Sequence, residues 1–278
     1  MAKCEVCFRH CDIPEGERGA CGARINRGGV IEAGNYGRIT GLALDPIEKK
    51  PLAEFYPGSM ILSAGSYGCN LRCPFCQNHE ISWSEYAIKQ GRRAEFLSPQ
   101  SLTDLAVRYR KRGNIGVAFT YNEPLIGYEF VRDTARLVHE AGMKNVMVTN
   151  GTASLEVLAE LTPYIDAMNI DIKCFSADKY AEVLGGDLEM TMAFIREAAG
   201  HCHVELTSLI VPGLNDSEEE MRKLTEWIAG IDEGMPLHVS RLFPRFRMNE
   251  GKPTDTVLIY RLVEVASERL KSVYPGNC

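Results

Sequence analysis

The stretch Tyr67-Gly68-Cys69-Asn70-Leu71-Arg72-Cys73-Pro74-Phe75-Cys76-Gln77-Asn78 carries three cysteines in the spacing C-x3-C-x2-C. Thiolates are soft ligands that select zinc or iron–sulfur clusters. Three of them on one tight loop suit three irons of a [4Fe–4S] cube. No fourth cysteine follows at ligand spacing, since the next, Cys174, lies far along the chain. One iron is then left for a ligand that is not protein. The competing reading is a three-cysteine zinc knuckle, which needs a fourth protein ligand, and His79 stands close enough in sequence to supply it. The loop follows an apolar run, Met60-Ile61-Leu62-Ser63-Ala64-Gly65, that reads as a strand. Loops leaving the C-terminal ends of strands are where α/β folds hold their ligands.

Downstream of this loop, strand and helix alternate. Apolar, β-rich runs recur at 60–64, 115–120, 145–148, 167–172, 204–211 and 237–242. Helical patterns occupy 102–112, 125–141, 155–161, 179–184 with 188–199, 219–228 and 257–270. Ser98 followed by Pro99 reads as a helix start, as does Asp216-Ser217 before three glutamates. Near-continuous apolar strands alternating with helices predict a parallel sheet. Six units fall short of a complete eight-fold barrel of about 250 residues. The expected fold is therefore α/β, a partial (β/α)6 TIM-like barrel over 59–278, preceded by a Cys-rich segment over 1–58.

That segment carries Cys4-x2-Cys7-x3-Cys11-x9-Cys21, with Pro14, Gly16, Gly19 and Gly22 between or beside them. Four thiolates make a closed ligand set, suited to structural zinc or to a second, fully ligated [4Fe–4S] cluster. A segment so short and polar needs a metal to fold, and a second cluster could relay electrons to the first. From 28 to 57 the chain reads as hairpins and loops. Asp45-Pro46-Ile47-Glu48-Lys49-Lys50-Pro51-Leu52 is dense in charge, which reads as a solvated loop. The functional alternative is a lid that carries Lys49 or Lys50 to an anionic substrate.

Of 278 residues, 45% are hydrophobic and 24% charged, enough for an ordinary core. The net charge of −6 argues against non-specific nucleic-acid binding, which needs a basic face. The N-terminus carries no charged-then-apolar signal, and no apolar run nears the roughly 20 residues that span a bilayer. A cytoplasmic protein without membrane or nucleic-acid partners is expected. Ten cysteines in such a chain point to metal ligands rather than disulfides. Cys174, Cys202 and Cys278 fit no ligand spacing and read as structural or free thiols.

Active sites of barrels sit at the C-terminal strand ends. The second strand ends in Thr120-Tyr121-Asn122-Glu123-Pro124, where Glu123 can accept hydrogen bonds from an ammonium. The third ends in Val148-Thr149-Asn150-Gly151. On the fourth, Asp171 and Lys173 share one face, and an acid and a base in a buried strand are costly unless paired or bound. Thr207 lies on the fifth. His238 and Arg241, on the sixth, are candidates for substrate binding, and 245–249 could cap the pocket.

The cysteine loop, with Phe75 before its last cysteine, resembles the cluster loop of the radical S-adenosylmethionine (radical SAM) enzymes. The resemblance implies that the open iron chelates the amino and carboxylate groups of SAM. One electron then splits SAM into methionine and a 5′-deoxyadenosyl radical that abstracts hydrogen. Asn122 and Glu123 stand in the place of the family's Gly-Gly-Glu, with Tyr121-Asn122 replacing both glycines. Thr149 and Asn150 match the Asp-Thr-Asn-Gly of glycyl-radical activating enzymes, with Val148 replacing its acid. Asp171 and Lys173 match their Asp-x-Lys. By this carry-over Glu123 holds the SAM amino group, Lys173 its carboxylate, Asp171 a ribose or cation, and Phe75 flanks the adenine; Thr207 is a further ribose candidate.

Taken with the N-terminal cysteines, Asp45–Leu52, Leu237-His238-Val239-Ser240-Arg241 and Tyr274-Pro275-Gly276-Asn277, the chain resembles the radical SAM member of the AmmeMemoRadiSam system. That group is similar to the pyruvate formate-lyase activating enzyme. The resemblance implies a low-potential electron donor of the flavodoxin or ferredoxin type, with Memo-type and AMMECR-type proteins as candidate partners. The expected activity is hydrogen abstraction from an unidentified substrate. Two alternatives stay open: an activase that makes a glycyl radical on a partner enzyme, and a non-enzymatic iron–sulfur protein for electron transfer or assembly.

Overall fold

Eight strands form the main sheet of the computed structural model, which describes residues 1–278. They are β1 (Gly41–Pro46), β2 (Met60–Gly65), β3 (Asn114–Phe119), β4 (Lys144–Thr149), β5 (Ala167–Asp171), β6 (His203–Ile210), β7 (Leu237–Arg241) and β8 (Val273–Gly276). They hydrogen-bond in simple chain order, and β8 and β1 are the two open edges. Strands β2 to β8 run parallel, while β1 pairs antiparallel with β2. The helices are α1 (Glu85–Gly91), α2 (Pro99–Arg108), α3 (Tyr128–Glu140), α4 (Leu155–Leu161), α5 (Ala177–Leu184), α6 (Leu188–Ala199), α7 (Glu218–Ala229) and α8 (Thr256–Ser267). No helix is long and apolar enough to cross a membrane.

The six strands read from the sequence are β2 to β7. Their outward residues, such as Met168 and Ile170 of β5, join the large core formed with the helices. Ser98 accepts from the amide of Ser101 and starts α2, as expected. The helical pattern over 102–112 ends α2 at Arg108 and finishes as a 3-10 turn before Gly113. The pattern over 125–141 begins as a 3-10 turn, Pro124–Gly127, before α3. Three elements escape the periodicity: α1, β1 and β8. Strand β8 is four residues containing Pro275, which an edge strand tolerates because one side needs no donor.

The charged stretch 45–52 is not a solvated loop. Ile47 and Leu52 are fully buried and pack with Ile61, Ala118, Val146 and Ala167. These strand residues have the same parity as the cavity-lining residues above them, so the stretch fills the lower interior of the open barrel. Lys50 is 3% exposed and reaches Asp45 at 2.9 Å. Asn169 donates to the Pro51 carbonyl at 2.7 Å, and the amides of Ala53 and Glu54 both donate to Glu205 at 2.8 Å. An unclosed sheet leaves interior volume that must be filled, and its polar groups must be matched.

The N-terminal segment folds as two small hairpins, Ala2–Lys3 with Asp12–Ile13 and Arg24–Arg27 with Val30–Ala33. Cys4, Val6 and Ile13 join the main hydrophobic core. Arg24, nearly buried, pairs with Glu129 of α3 at 2.7 Å.

Candidate active site

At the C-terminal ends of the parallel strands lies a cavity of about 260 Å³. Cys69, Cys73, Phe75 and Cys76 line it from the loop after β2. Asn122 and Glu123 follow β3, Thr149 and Asn150 end β4, Asp171 and Lys173 end β5, and Thr207 lies on β6; all line the same cavity.

The cysteine loop is held from several sides. The Asn122 carboxamide accepts from the Ser66 amide at 2.9 Å and donates to the carbonyls of Tyr67 and Gly68. Asn70 donates to Thr152 and accepts from Asn150 at 2.9 Å. Arg72 donates to the Cys69 carbonyl at 2.7 Å, and its own amide bonds Leu184. Gly68 has φ +94°, and a Cβ there would meet Ile126, Ala23 and the Cys21 carbonyl at 2.8–2.9 Å. This turn sends the chain from β2 into the loop.

Burial, then Glu123 and the neighbouring thiols, push Cys69 far above the ordinary thiol range. Burial pushes Cys73 up to about 12, against the pull of Lys173. Three thiols facing one cavity are a donor set that fits cluster iron. His79 turns away from the cavity: its Nδ1 meets the Cys76 carbonyl at 3.1 Å and its ring stacks on Phe246 at 4.2 Å. His79 is thus not among the residues lining the cavity that would complete a zinc knuckle.

Glu123, 2% exposed, is held by three donors: Thr149 Oγ1 at 2.6 Å, the Leu125 amide at 2.9 Å and the Asn150 amide at 2.8 Å. Thr149 and Asn150 thus position Glu123 as well as lining the cavity. A carboxylate offers about four acceptor positions, so one remains for a ligand. Burial raises Glu123 to about 7. Lys173 Nζ lies 3.0 Å from Asp171. Burial opposes its charge, but Asp171 and Cys73 outweigh that and raise its pKa.

Three expected substrate residues lie elsewhere. His238 bonds Glu205 at 2.6 Å below the cavity and stacks on Tyr274. Arg241 has the opposite parity to cavity-lining Ser240, so it points outward and donates to the Thr254 carbonyl at 2.6 Å. The Lys49 side chain is 69% exposed, because Ile47 and Lys50 take the inward positions of that turn. Tyr121, Trp83 and Asn277 line the cavity without having been singled out. Tyr121 was legible in part, as a bulky residue where the family motif has glycine; it adopts φ +72° and donates to Asp45 at 2.8 Å. Phe246, in the segment expected to cap the pocket, packs on His79 and edge-on to Trp83.

The N-terminal cysteines also come together. Cys4, Cys7 and Cys21 are buried and Cys11 is half-buried. Burial drives Cys7 up to about 11, partly offset by the Arg9 amide and the Asn70 side chain.

Comparison with known proteins agrees with this geometry. An uncharacterized protein of Methanocaldococcus jannaschii is 40% identical over 279 residues, covering 99% of this chain and 81% of that protein. The pyruvate formate-lyase 1-activating enzyme of Escherichia coli is 26% identical over 166 residues, covering 58% of this chain and 65% of the enzyme, just under two thirds of its length. The structure of SuiB of Streptococcus suis bound to S-adenosylmethionine matches in fold, with a TM-score of 0.60 and 14% identity, over 78% of this chain and 52% of that one. The family model described as the radical SAM superfamily matches residues 64–228, from the end of β2 through α7, the span that builds the cysteine loop and the strand ends around the cavity. By fold, by relatives and by the loop at its centre, this chain belongs to the radical SAM superfamily.

Proposed function

We propose that the chain is a radical SAM enzyme in which Cys69, Cys73 and Cys76 hold a [4Fe–4S] cluster and the cavity beside them binds SAM. The observation that carries this is the convergence on one cavity of three thiols, a buried carboxylate and a half-buried ion pair. When bound, cluster and SAM supply a reductive C–S cleavage that yields methionine and a 5′-deoxyadenosyl radical able to take a hydrogen atom.

The chain's own residues bind and orient. Glu123, raised by burial and fixed by Thr149 and Asn150, is poised to accept an ammonium, whose charge would draw it back to the ionised form. Lys173 offers a carboxylate partner next to Cys73, and Asp171 shares it at the cavity wall. Thr207 and Asn122 add polar positions, and Phe75 an apolar wall. Trp83 and the segment around Phe246 cover the cysteine loop and exclude water.

Within the family, the strand-end motifs favour an activating-enzyme-like member, and the wider motif set favours the AmmeMemoRadiSam type. Memo-type and AMMECR-type partners and a flavodoxin- or ferredoxin-type donor follow from that reading. A glycyl-radical activase is the second reading, favoured by the Escherichia coli relative. The test uses anaerobically purified, iron- and sulfide-reconstituted protein with SAM and dithionite. The parent should release 5′-deoxyadenosine and methionine, and a C69A/C73A/C76A variant should not. A parent that holds iron yet never cleaves SAM would leave the electron-transfer alternative standing.

A further inference from the structure

The four N-terminal thiols sit directly behind the cysteine loop. The amide of Cys69 donates to the carbonyl of Cys21 at 3.2 Å. Arg9, between Cys7 and Cys11, donates to the carbonyl of Asn70 at 2.7 Å. Arg72 donates to the carbonyl of Cys69 and, with its other terminal nitrogen, to that of Ala20. Each set thus reaches the backbone of the other. Between the Cys21 and Cys69 sulfurs runs a short covalent path interrupted by one hydrogen bond. Cys4, Cys7 and Cys21 are at most 7% exposed.

Resting on the radical SAM reading of the first site, we propose that Cys4, Cys7, Cys11 and Cys21 hold a second iron–sulfur cluster that passes electrons to the first through the Cys21–Cys69 link. Four thiols make a closed donor set that suits a fully ligated cube as well as zinc, but zinc is redox-inert and would make no use of the link. In the transfer, a flavodoxin- or ferredoxin-class donor is oxidised by one electron at the N-terminal site. The iron held by Cys69, Cys73 and Cys76 is reduced by one electron. No proton moves, and no bond forms or breaks in this step.

The C69A/C73A/C76A variant, reconstituted anaerobically with iron and sulfide, isolates the second site. It should keep about four irons and four sulfides per chain, contain no zinc, and show a reduced-cluster electron paramagnetic resonance signal with dithionite. A folded variant, checked by circular dichroism, that holds one zinc or no metal overturns the proposal. A C7A/C11A variant should retain the first cluster and cleave SAM with dithionite at the parental rate, but at least tenfold more slowly with reduced flavodoxin. Equal rates with both reductants overturn the relay. If the parent fails to cleave SAM while the triple variant still holds its iron, the radical SAM reading fails and the second site stands.

Discussion

His238 Nε2 lies 2.6 Å from Oε2 of Glu205, a carboxylate whose side chain has no exposed surface. Glu205 also accepts from His203 at 2.9 Å and from the amides of Ala53 and Glu54. One buried acid on β6 therefore ties β7 and the 45–55 plug together beneath the cavity. Replacing it by Glu205→Gln halves the acceptor capacity and adds donors among donors. The variant should lose roughly 3 kcal/mol of stability, within the range for breaking a buried charged network. A urea midpoint equal to the parent's would show that the plug is held by its apolar residues alone.

The same carboxylate gives a pH dependence. Burial works to raise its pKa, but the bonds from His203, His238 and the two amides prevail and bring it from 4.5 to about 2. A depressed acid stabilises the fold fully above its unfolded value. That contribution is lost as pH falls from about 4.5 towards 2. Thermal melts should show the parent losing stability through this window, while Glu205→Gln shows a shallower loss and the two curves converge at the acid end. Parallel curves would assign the acid sensitivity to other carboxylates.

The large elements were legible because periodicity reports them. Strands β2 to β7 are buried along most of their length and rich in apolar residues, and capping residues such as Ser98 mark helix starts. The cavity residues were legible because strand ends and motif spacing place them together whatever the packing detail. What failed was the interior. Asp45 and Lys50 look solvated in sequence because nothing local shows that each has the other as a partner. His238 and Arg241 share strand β7, yet depth carries the first and parity the second away from the cavity. Strands β1 and β8 exist by pairing with distant neighbours, which a short window of sequence does not contain.

Tyr121 spans cavity and plug. Its hydroxyl donates to Asp45, which also accepts from Lys50 and Ser63, and these three bonds hold Asp45 at about 2 against its burial. Its side chain lies against Gly65, where a Cβ would come within 2.8 Å of it. Tyr121→Phe removes one hydrogen bond to a charged acceptor and should cost about 2 kcal/mol, leaving 5′-deoxyadenosine formation within threefold of the parent. A large loss of turnover with unchanged stability would instead put the hydroxyl in the chemistry.

Gly68→Ala tests the seam between the two cysteine sets. The added methyl meets the Cys21 carbonyl and Ala23 on one side and Ile126 on the other, at a φ that side chains rarely adopt. A cost of at least about 2 kcal/mol is expected from strain and overpacking. Iron retention after gel filtration should fall with it, because the turn feeds straight into Cys69. Stability and iron content matching the parent would mean that the seam yields, and that the Cys21–Cys69 bond is not fixed by this turn.

Lys173 separates binding from stability. Its partner Asp171 is 29% exposed, so Lys173→Met leaves an acid that solvent reaches in part, and the fold should lose about 2 kcal/mol, less than the 3–5 kcal/mol for breaking a fully buried pair. Adding Asp171→Asn removes the orphaned charge and should restore most of that stability. If Lys173 meets the carboxylate of SAM, affinity does not recover in the double variant. Equilibrium dialysis with labelled SAM on reconstituted protein should then show Kd raised at least about tenfold in both variants, a loss of about 1.4 kcal/mol, with iron content unchanged. Recovery of affinity together with stability would make Lys173 a structural counter-ion to Asp171 and move the carboxylate contact elsewhere in the cavity.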